Sequence, residues 1–365
     1  MFDFEHRVGR LDAITTLNVL PASQRPRISS FHGIKDLCNR ILESQLTVVV
    51  PHEKLASHRQ TTEPDVLYEL LSKRYLALSG LPTPPSSVLD LDGCPGSVEQ
   101  KLSIASSWIH TFPIPRVFKT QQGMSSVGTF IIRTESEREE LVRSLSAVLL
   151  RNTLHSVNAC NAHLYPSSLI SQEMIKRESP CFATSFFVHR NGKCTFLGAC
   201  WQEMSESNAW LGARIRYSDQ NKLKHRLWRT ICQISNFLRG KGYYGPAGAD
   251  IILEDARKRS SPRPWIIDLD VRITGSLSLA FSRGHFSDRR GLDEACVTQR
   301  FKFRLNRNAF CTIFAAEIQA GTMVIVAWFD DMASTFSWGT LVLGGEDSMG
   351  LDCLMGRVKA LAMWK

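Results

Sequence analysis

Residues 242–286 constrain the fold more than any other part of the chain, because they combine strand-like apolar segments with closely spaced charges. Residues 248–254 and 265–271 are short apolar segments, which is typical of β-strands. The segment between them is rich in basic residues, serine and proline, as solvated loops are. The pattern therefore predicts a β-hairpin with a long loop.

The predicted hairpin brings charged side chains to one face. Alternation along the second strand points Asp268, Asp270 and Arg272 in one direction, and Asp250 can join them from the first strand. Carboxylates beside a guanidinium are costly when dry, and a divalent cation relieves this cost while keeping substrate phosphates as further ligands. With the hydroxyls at residues 274–276, the pattern suits phosphate chemistry. The alternative is a solvent-facing strand with an ion pair.

This stretch resembles the nucleotide-binding core of the ATP-grasp superfamily. The motifs that carry the resemblance are G-x-x-G-P-x-G-x-D and D-x-D-x-R-x-T-G-S. They are most similar to the carboxylate–amine ligase branch of fungal natural-product pathways. The usual signature has an acid, an asparagine and an arginine: Asp268 matches the acid, Asp270 replaces the asparagine, and Arg272 matches the arginine. The resemblance extends from about Asp65 to the end of the chain.

The resemblance implies an α+β protein with the ATP-grasp fold, in which two α/β lobes clasp the nucleotide behind a short N-terminal α/β region. In that region the periodicity predicts a helix at residues 33–43 and a strand at residues 46–50. The expected divisions are an N-terminal region, a small lobe with a glycine/serine lid loop, a large lobe with the metal site, and the C-terminal part of the large lobe: residues 1–75, 76–165, 166–300 and 301–365.

Lys119 and the loop that follows it are the candidate phosphate-binding elements of the small lobe. Strands are predicted at residues 116–119 and 130–133, and the loop between them is rich in glycine and serine. Such a loop offers backbone N–H donors to a triphosphate, and a lysine is a compact cation for its charge. The resemblance implies that Lys119 binds phosphate and that the lid loop acts through Gly123, Ser125, Ser126 and Gly128.

Two further parts of the nucleotide site are implied by the resemblance alone. A helix predicted at residues 65–79 carries a cation towards the phosphates, with Lys73 as the candidate and Arg74 as its rival. An ordinary exposed helix cation is the alternative for either residue. Residues 168–178 correspond to the interdomain hinge strand. By the resemblance, the backbone from Gln172 through Glu173 and Met174 to Ile175 holds the adenine, and Glu178 holds the ribose hydroxyls.

Periodicity predicts the remaining elements of the two lobes. Thr134 is the expected N-cap of a helix at residues 135–150. Further helices are predicted at residues 221–241, 309–320 and from Gly350, and strands at residues 183–189, 193–202, 210–217, 323–329 and 338–344. Four side chains of the predicted large-lobe strands have two possible roles, to line a substrate site or simply to pack or face solvent: Trp201, Gln202, Glu203 and Tyr217.

Composition narrows the class of protein. No apolar stretch is long enough to span a membrane, and the charged N-terminus does not read as a secretory leader. We therefore expect a soluble, cytoplasmic protein without a membrane partner. The ten cysteines occur singly, with no C-x-x-C pair, which favours reduced core thiols over a zinc site or a disulfide framework.

The net charge of +9 raises the question of a nucleic-acid partner. Apart from the helical run at residues 222–226, the basic residues are dispersed, and no aromatic-interleaved basic groove is visible. We therefore expect no nucleic-acid partner. A polyanionic substrate that arrives with magnesium accounts for part of the excess charge.

The resemblance implies an ADP-forming, ATP-dependent carboxylate–amine ligase that makes an amide through an acylphosphate, on an amino acid or small carboxylic acid of secondary metabolism. Two Mg²⁺ ions, replaceable by Mn²⁺, are assigned to Asp250, Asp268 and Asp270, and Arg272 and Lys119 are the catalytic candidates. Expected partners are ATP, the acid and the amine, and an oligomer is left open. The alternatives are a non-catalytic nucleotide-binding or regulatory protein and a phosphoryl transferase that stops after the first step.

Overall fold

Two antiparallel β-sheets, with helices packed against them, form the computed structural model of the protein. The structure describes residues 22–24, 60–123, 127–175, 180–205, 209–254, 262–330 and 336–363. The helix and strand predicted at residues 33–43 and 46–50 lie outside these ranges. The prediction of an α+β protein is confirmed.

Two short helices, rather than the single one predicted at residues 65–79, lead into the small sheet. They are α1 (Pro64–Leu70) and α2 (Lys73–Leu78). The break occurs because the Ser72 hydroxyl accepts a hydrogen bond from the Tyr75 backbone N–H and so caps a new helix. Lys73 is consequently the first residue of α2.

The small lobe is built on a four-stranded sheet with the order β1-β4-β2-β3. Its strands are β1 (Ser86–Leu89), β2 (Arg116–Thr120), β3 (Thr129–Ile132) and β4 (Leu169–Glu173). Its helices are α3 (Val98–His110), α4 (Glu135–Ser144) and α5 (Leu150–Ser156), the last two joined by a π-helical turn, Leu145–Leu149. Thr134 caps α4 as predicted, but the helical segment runs on to Ser156.

Strand β4 corrects one predicted division. The boundary at residue 166 assigned this strand to the large lobe, whereas it pairs with β1 and β2 of the small sheet. The chain crosses to the second sheet only after Glu173. The sheet to which β4 belongs is determined by its pairing with strands far away in sequence, and periodicity carries no information about such pairing.

The large lobe is built on a nine-stranded sheet, in which the path β11-β13-β10-β7-β6-β5-β8-β9 is completed by β12 paired to β13. The strands are β5 (Cys181–Val188), β6 (Cys194–Met204), β7 (Trp210–Arg216), β8 (Gly245–Glu254), β9 (Arg263–Asp270), β10 (Glu294–Thr298), β11 (Phe301–Phe303), β12 (Met323–Asp330) and β13 (Ser337–Gly345). Strands β1, β10 and β11 and helix α3 were not predicted.

Helices cover both faces of the large sheet. One face, which carries Ala199, packs against α6 (Gln220–Gly240) through the apolar series Leu223, Leu227, Ile231, Ile234 and Leu238. The opposite face, which carries Cys200, packs against α7 (Leu277–Phe281) and α8 (Arg283–Arg290). The remaining helices are α9 (Arg307–Ile313), α10 (Ala315–Ala320) and α11 (Ser348–Leu361), so the helix predicted at residues 309–320 is broken at Phe314.

Candidate nucleotide and metal site

The predicted hairpin is present as β8 and β9, at one edge of the large sheet. Its register sets Asp250 directly opposite Asp268 and Gly248 opposite Asp270. A register shift after the Asp250–Asp268 pair leaves Ile267 as an extra residue in β9. The two carboxylates that the sequence could only place on neighbouring strands are therefore a direct cross-strand pair.

Two lysines from the other part of the molecule reach this hairpin. The Nζ of Lys119 on β2 donates to the carbonyl oxygen of Ile267 at 2.5 Å, and the Nζ of Lys73 on α2 forms an ion pair with Asp268. Both lysines are buried, with 6% and 9% exposure. Cations of the small lobe and of the helix before it thus meet the carboxylate-bearing hairpin of the large sheet at one buried site.

The structure distinguishes Lys73 from its rival Arg74. The Nε and Nη2 atoms of Arg74 each donate to Asp90 at 2.8 Å, and its guanidinium lies 4.0 Å from the centre of the Tyr165 ring. Asp90 also accepts from the Ser168 hydroxyl at 2.6 Å. Arg74 therefore joins α2 to the small lobe, whereas Lys73 faces the carboxylates.

Arg272 lies next to the hairpin but is held by a carboxylate. Its Nη2 is 2.7 Å from Asp270 Oδ1, and this ion pair is largely shielded from solvent. The following loop is anchored by Thr274, whose hydroxyl lies 3.2 Å from that of the buried Ser185 on β5. Arg272 is therefore aimed at the same face as Asp270.

The pKa values of the carboxylates respond to burial and to each other. Burial raises the pKa of Asp250 to about 7, and the charges of Asp268 and Asp270 add to the rise. Burial and Asp268 likewise raise the pKa of Asp270. Burial also acts to raise the pKa of Asp268, but the ammonium groups of Lys73 and Lys119 outweigh it and hold that pKa below its usual value. Burial lowers the pKa of Lys119 to about 8.

The oxygen donors suit a hard divalent cation, although they are not gathered as a preformed cage. Within the described ranges, no group of three or more histidine, cysteine, aspartate or glutamate side chains converges on one point. The physical reason is that Lys73 neutralises Asp268 and Arg272 neutralises Asp270. The unfavourable ionisation of Asp250 next to two further carboxylates is what a cation would relieve, so the donor set fits Mg²⁺.

The lid loop is described only in part. Ser125 and Ser126 lie outside the described residues. A Cβ on Gly123 would lie 1.9 Å from the carbonyl oxygen of Val127, and Gly128 has a φ of +78°, so the loop needs glycine at both positions. The loop closes through a 2.8 Å hydrogen bond from the Thr120 N–H to the Gly128 carbonyl.

The hinge segment is also partly described. Gln172 is paired on both sides, with Ser86 on β1 and Val117 on β2, so its backbone is engaged in the sheet. Glu173 is exposed at the end of β4, and Met174 and Ile175 follow it on the path to β5. Glu178 lies outside the described residues. Residues 169–173 form a strand as expected for the hinge, and the assignment of residues 172–175 to the adenine stays a prediction.

Several site residues were missed or left uncertain by the sequence. The side chain of Gln202 reaches Asp250, and Cys181 lies close enough for the charges of Asp250 and Asp268 to act on its thiol. In the sequence, Ser185 is one residue of a predicted buried strand, and no motif around it indicates a role in the site. The other candidates pack or pair elsewhere: Trp201 against Phe182, Glu203 with Arg214, and Tyr217 with the Leu279 carbonyl.

Comparison with known proteins reveals similarity in structure. No family model and no curated protein matches the chain. Phosphoribosylamine–glycine ligase from Thermotoga maritima is 13% identical with a TM-score of 0.57, over 98% of this chain and 95% of that one. An ADP complex of N5-carboxyaminoimidazole ribonucleotide synthetase is 11% identical with a TM-score of 0.56, over 97% and 93%. The Thermus thermophilus synthetase is 13% identical with a TM-score of 0.54, over 99% and 97%.

These similarities establish the fold. The chain has the ATP-grasp fold, with α+β architecture and antiparallel sheets like those of its structural neighbours. In the described residues, no helix is both long enough and apolar enough to cross a membrane.

Proposed function

We propose that the protein is an ATP-dependent, ADP-forming carboxylate–amine ligase, which acts in the cytoplasm on an amino acid or another small carboxylic acid of secondary metabolism. The observation that carries the proposal is that Lys73 and Lys119 both contact the strand of the large sheet that pairs Asp268 with Asp250. Cations on one wall and carboxylates on the other suit a metal-bound triphosphate. The ATP-grasp fold and the motif at residues 268–276 support the same assignment.

The nucleotide contacts follow from the positions of the candidate residues. Lys119 would move from Ile267 to a phosphate oxygen, because a phosphate is a stronger partner for an ammonium than a backbone carbonyl. Lys73 would exchange one anion for another, from Asp268 to a phosphate oxygen. The lid loop with Gly123, Ser125, Ser126 and Gly128 would cover the phosphates. The backbone at Glu173, Met174 and Ile175 would hold the adenine, and Glu178 the ribose.

Asp250, Asp268 and Asp270 would hold two Mg²⁺ ions, or Mn²⁺, which neutralise phosphate charge when bound. Each of these carboxylates must be ionised to serve as a ligand. Lys73 and Arg272 must also release Asp268 and Asp270, which the phosphate oxygens allow by taking over both cations.

Arg272 is the residue we assign to the chemical step. The substrate carboxylate attacks the γ-phosphorus, the bond from that phosphorus to the bridging oxygen of ADP breaks, and an acylphosphate forms. An amine then attacks the acyl carbon, inorganic phosphate leaves, and the amine loses a proton as the amide forms. A guanidinium can contact the γ-phosphoryl group and the incoming carboxylate together, and so stabilises charge as it moves between them.

Hydroxylamine trapping tests the reaction class. The wild type with ATP, Mg²⁺ and a panel of amino acids and small acids should form an acyl hydroxamate and release ADP. The Arg272→Lys variant should retain most of its ATP affinity and lose about two orders of magnitude in acid-dependent turnover. ATP binding without ADP release would identify a non-catalytic nucleotide-binding protein. Stable acylphosphate that no amine consumes would identify a phosphoryl transferase.

A further inference from the structure

Helix α6 carries an unusual concentration of positive charge. Residues 220–249 contain six lysine and arginine side chains and one histidine, but no aspartate or glutamate. The cations are Lys222, Lys224, Arg226, Arg229, Arg239 and Lys241, all of them exposed. The chain's excess of basic residues is therefore partly gathered on one element.

The outer side of α6 presents these charges as a line. Lys222, Arg226 and Arg229 are separated by four and three residues, so they lie on the same side of the helix. Gln233 and Asn236 continue the line and are exposed as well. From residue 222 to residue 236 the line is about 21 Å long at the rise of an α-helix. We call the side chains of Lys222, Arg226, Arg229, Gln233 and Asn236 the basic stripe.

No carboxylate neutralises this stripe in the described part of the protein. Among the described residues, none of the ion pairs includes Lys222, Arg226 or Arg229. Two flanking lysines instead rest on aromatic rings: Lys224 over Trp228 at 5.4 Å and Lys241 over Tyr75 at 5.1 Å.

The stripe is not required for the fold of the helix. Packing of α6 uses the opposite, apolar side, which contributes to the large core cluster. The first turn has no acidic residue, and Lys222 and Lys224 sit near the positive end of the helix dipole, where cations are disfavoured. Lys222, Arg226 and Arg229 are also like charges at spacings of four and three residues, which is unfavourable for an isolated helix. Neither the helix dipole nor the packing of α6 therefore accounts for the stripe.

We propose that the basic stripe binds the phosphodiester backbone of a nucleic acid. Phosphates need only cations and hydrogen-bond donors, which the stripe supplies over its whole length. A protein partner would need an apolar interface core, and a helix embedded in a membrane surface would need apolar side chains on the same side as its cations. None of the strongly exposed large hydrophobic residues in the described structure lies on α6. This proposal departs from the expectation that the dispersed basic residues exclude nucleic acid.

The stripe is separate from the candidate ATP site. Helix α6 packs on the face of the large sheet that carries Ala199, whereas Asp250 shares the opposite face with Ala183 and Cys200. A nucleic acid on α6 would therefore not cover the face of the sheet that carries Asp250. The two proposals can fail independently.

Fluorescence polarisation of the full chain with labelled single-stranded RNA and with duplex DNA tests the proposal. The triple variant Lys222→Gln, Arg226→Gln, Arg229→Gln should lose at least about tenfold in affinity at low salt. Because three phosphate contacts disappear, the slope of log K against log salt should flatten by about 2 for a single strand. The matched control Arg143→Gln, Arg304→Gln, Lys359→Gln removes the same charge from other elements and should bind as the wild type does.

Circular dichroism and melting of both triple variants keep the comparison independent of folding. No binding by the wild type at about 50 mM salt, or equal binding by the wild type and the stripe variant, overturns the proposal. Polyglutamate that displaces RNA as well as unlabelled RNA does would point to an acidic polypeptide instead. Stripe-dependent binding to phosphatidylserine vesicles without binding to RNA or DNA would point to a membrane surface.

Discussion

At the candidate site, three neighbouring carboxylates differ in how their negative charge is compensated. Three carboxylates lie within one hairpin, and two of them are neutralised by cations: Asp268 by Lys73 from α2, and Asp270 by Arg272 from the segment that follows β9. Asp250 accepts a hydrogen bond from the side-chain amide of Gln202 and, among the described residues, forms no ion pair. Asp250 therefore bears an uncompensated cost of ionisation, whereas Asp268 and Asp270 each face a cation.

Replacing Asp250 should stabilise the nucleotide-free protein at neutral pH. The pKa of Asp250 is raised above its unfolded value to about 7, so ionising it in the folded state costs stability as pH rises from about 4 through 7. Asp250→Asn should therefore melt a few degrees higher than the wild type at pH 8 and show little difference near pH 4. Melting curves with EDTA across this range measure the effect.

The same variant should bind Mg²⁺ more weakly although it is more stable. If Asp250 is a metal ligand, calorimetry of Asp250→Asn should show weaker Mg²⁺ affinity in the presence of ATP. If the two proteins melt at the same temperature at every pH, ionisation of Asp250 does not destabilise the folded protein. Unchanged metal affinity would remove it from the ligand set.

Lys73 and Arg74 are adjacent cations with different expected effects. Lys73→Met frees Asp268 from its ion pair, so the nucleotide-free variant should bind Mn²⁺ more tightly than the wild type while binding ATP more weakly. Arg74→Met breaks the contact with Asp90 instead, and should lower stability without changing Mn²⁺ affinity. Electron paramagnetic resonance of Mn²⁺ titrations makes the comparison, and identical affinity of both variants would contradict the assignment of Lys73.

At the scale of elements, the hairpin β8–β9 positions the whole site. Its register makes Asp250 and Asp268 neighbours, and the extra residue in β9 leaves the Ile267 carbonyl to Lys119. On the outer side of β9 the Ile266 N–H donates to the Pro82 carbonyl at 2.9 Å, which ties the segment after α2 to the sheet edge. The site is thus built at a strand that two separate parts of the chain contact.

Gly248 connects the hairpin to the loop that carries Arg272. A Cβ at this position would lie 2.5 Å from Thr274 Cγ2 and 2.9 Å from the Thr184 carbonyl, so the loop cannot keep its place beside an alanine. Gly248→Ala should lower ATP turnover by displacing Arg272, with a smaller loss of stability. Gly356→Ala in α11, where a Cβ meets nothing within 4 Å, is the matched control and should retain full turnover. Steady-state kinetics and melting of both variants decide the point; full turnover of Gly248→Ala would contradict it.

The sequence predicted the parts of the fold that have a clear local period. The strands of the hairpin, helix α6 and the capped start of α4 were all recognisable from spacing. The short strands β1, β10 and β11 were missed, because three to five residues carry too little periodicity. The Ser72 cap was missed because the apolar spacing continues across it.

The candidate site was predicted in its composition but not in its pairing. The residue types at 268–272 identified the carboxylates and the arginine. The ion pair between Lys73 and Asp268 joins residues 195 positions apart, and the Lys119–Ile267 contact spans 148. Contacts of this kind depend on how the two sheets dock. Local sequence does not determine that arrangement.

For the whole molecule, the contacts of Lys73 and Lys119 link the large sheet to the part of the chain that precedes it, and the proposed nucleotide would replace both contacts. Lys119 is buried on the small sheet, its pKa is lowered to about 8 by that burial, and its contact in the large lobe is a neutral carbonyl. At pH 7 its charge is therefore poorly compensated, and a phosphate of ATP would compensate it better. The folded protein should consequently be more stable with a bound nucleotide than without one.

Lys119→Ala tests this exchange. The variant should bind Mg²⁺-ATP more weakly by about 1.5–3 kcal/mol, the range for a hydrogen bond to a charged group, which corresponds to about 10- to 150-fold in Kd. Without nucleotide it should be at least as stable as the wild type below pH 8, because removing a buried ammonium also removes the cost of its desolvation. In the wild type, Mg²⁺-ATP should then raise the melting temperature much more than in the variant. Calorimetry and melting with and without ATP measure both effects, and a variant with unchanged ATP affinity would show that Lys119 serves only as a fixed contact to Ile267.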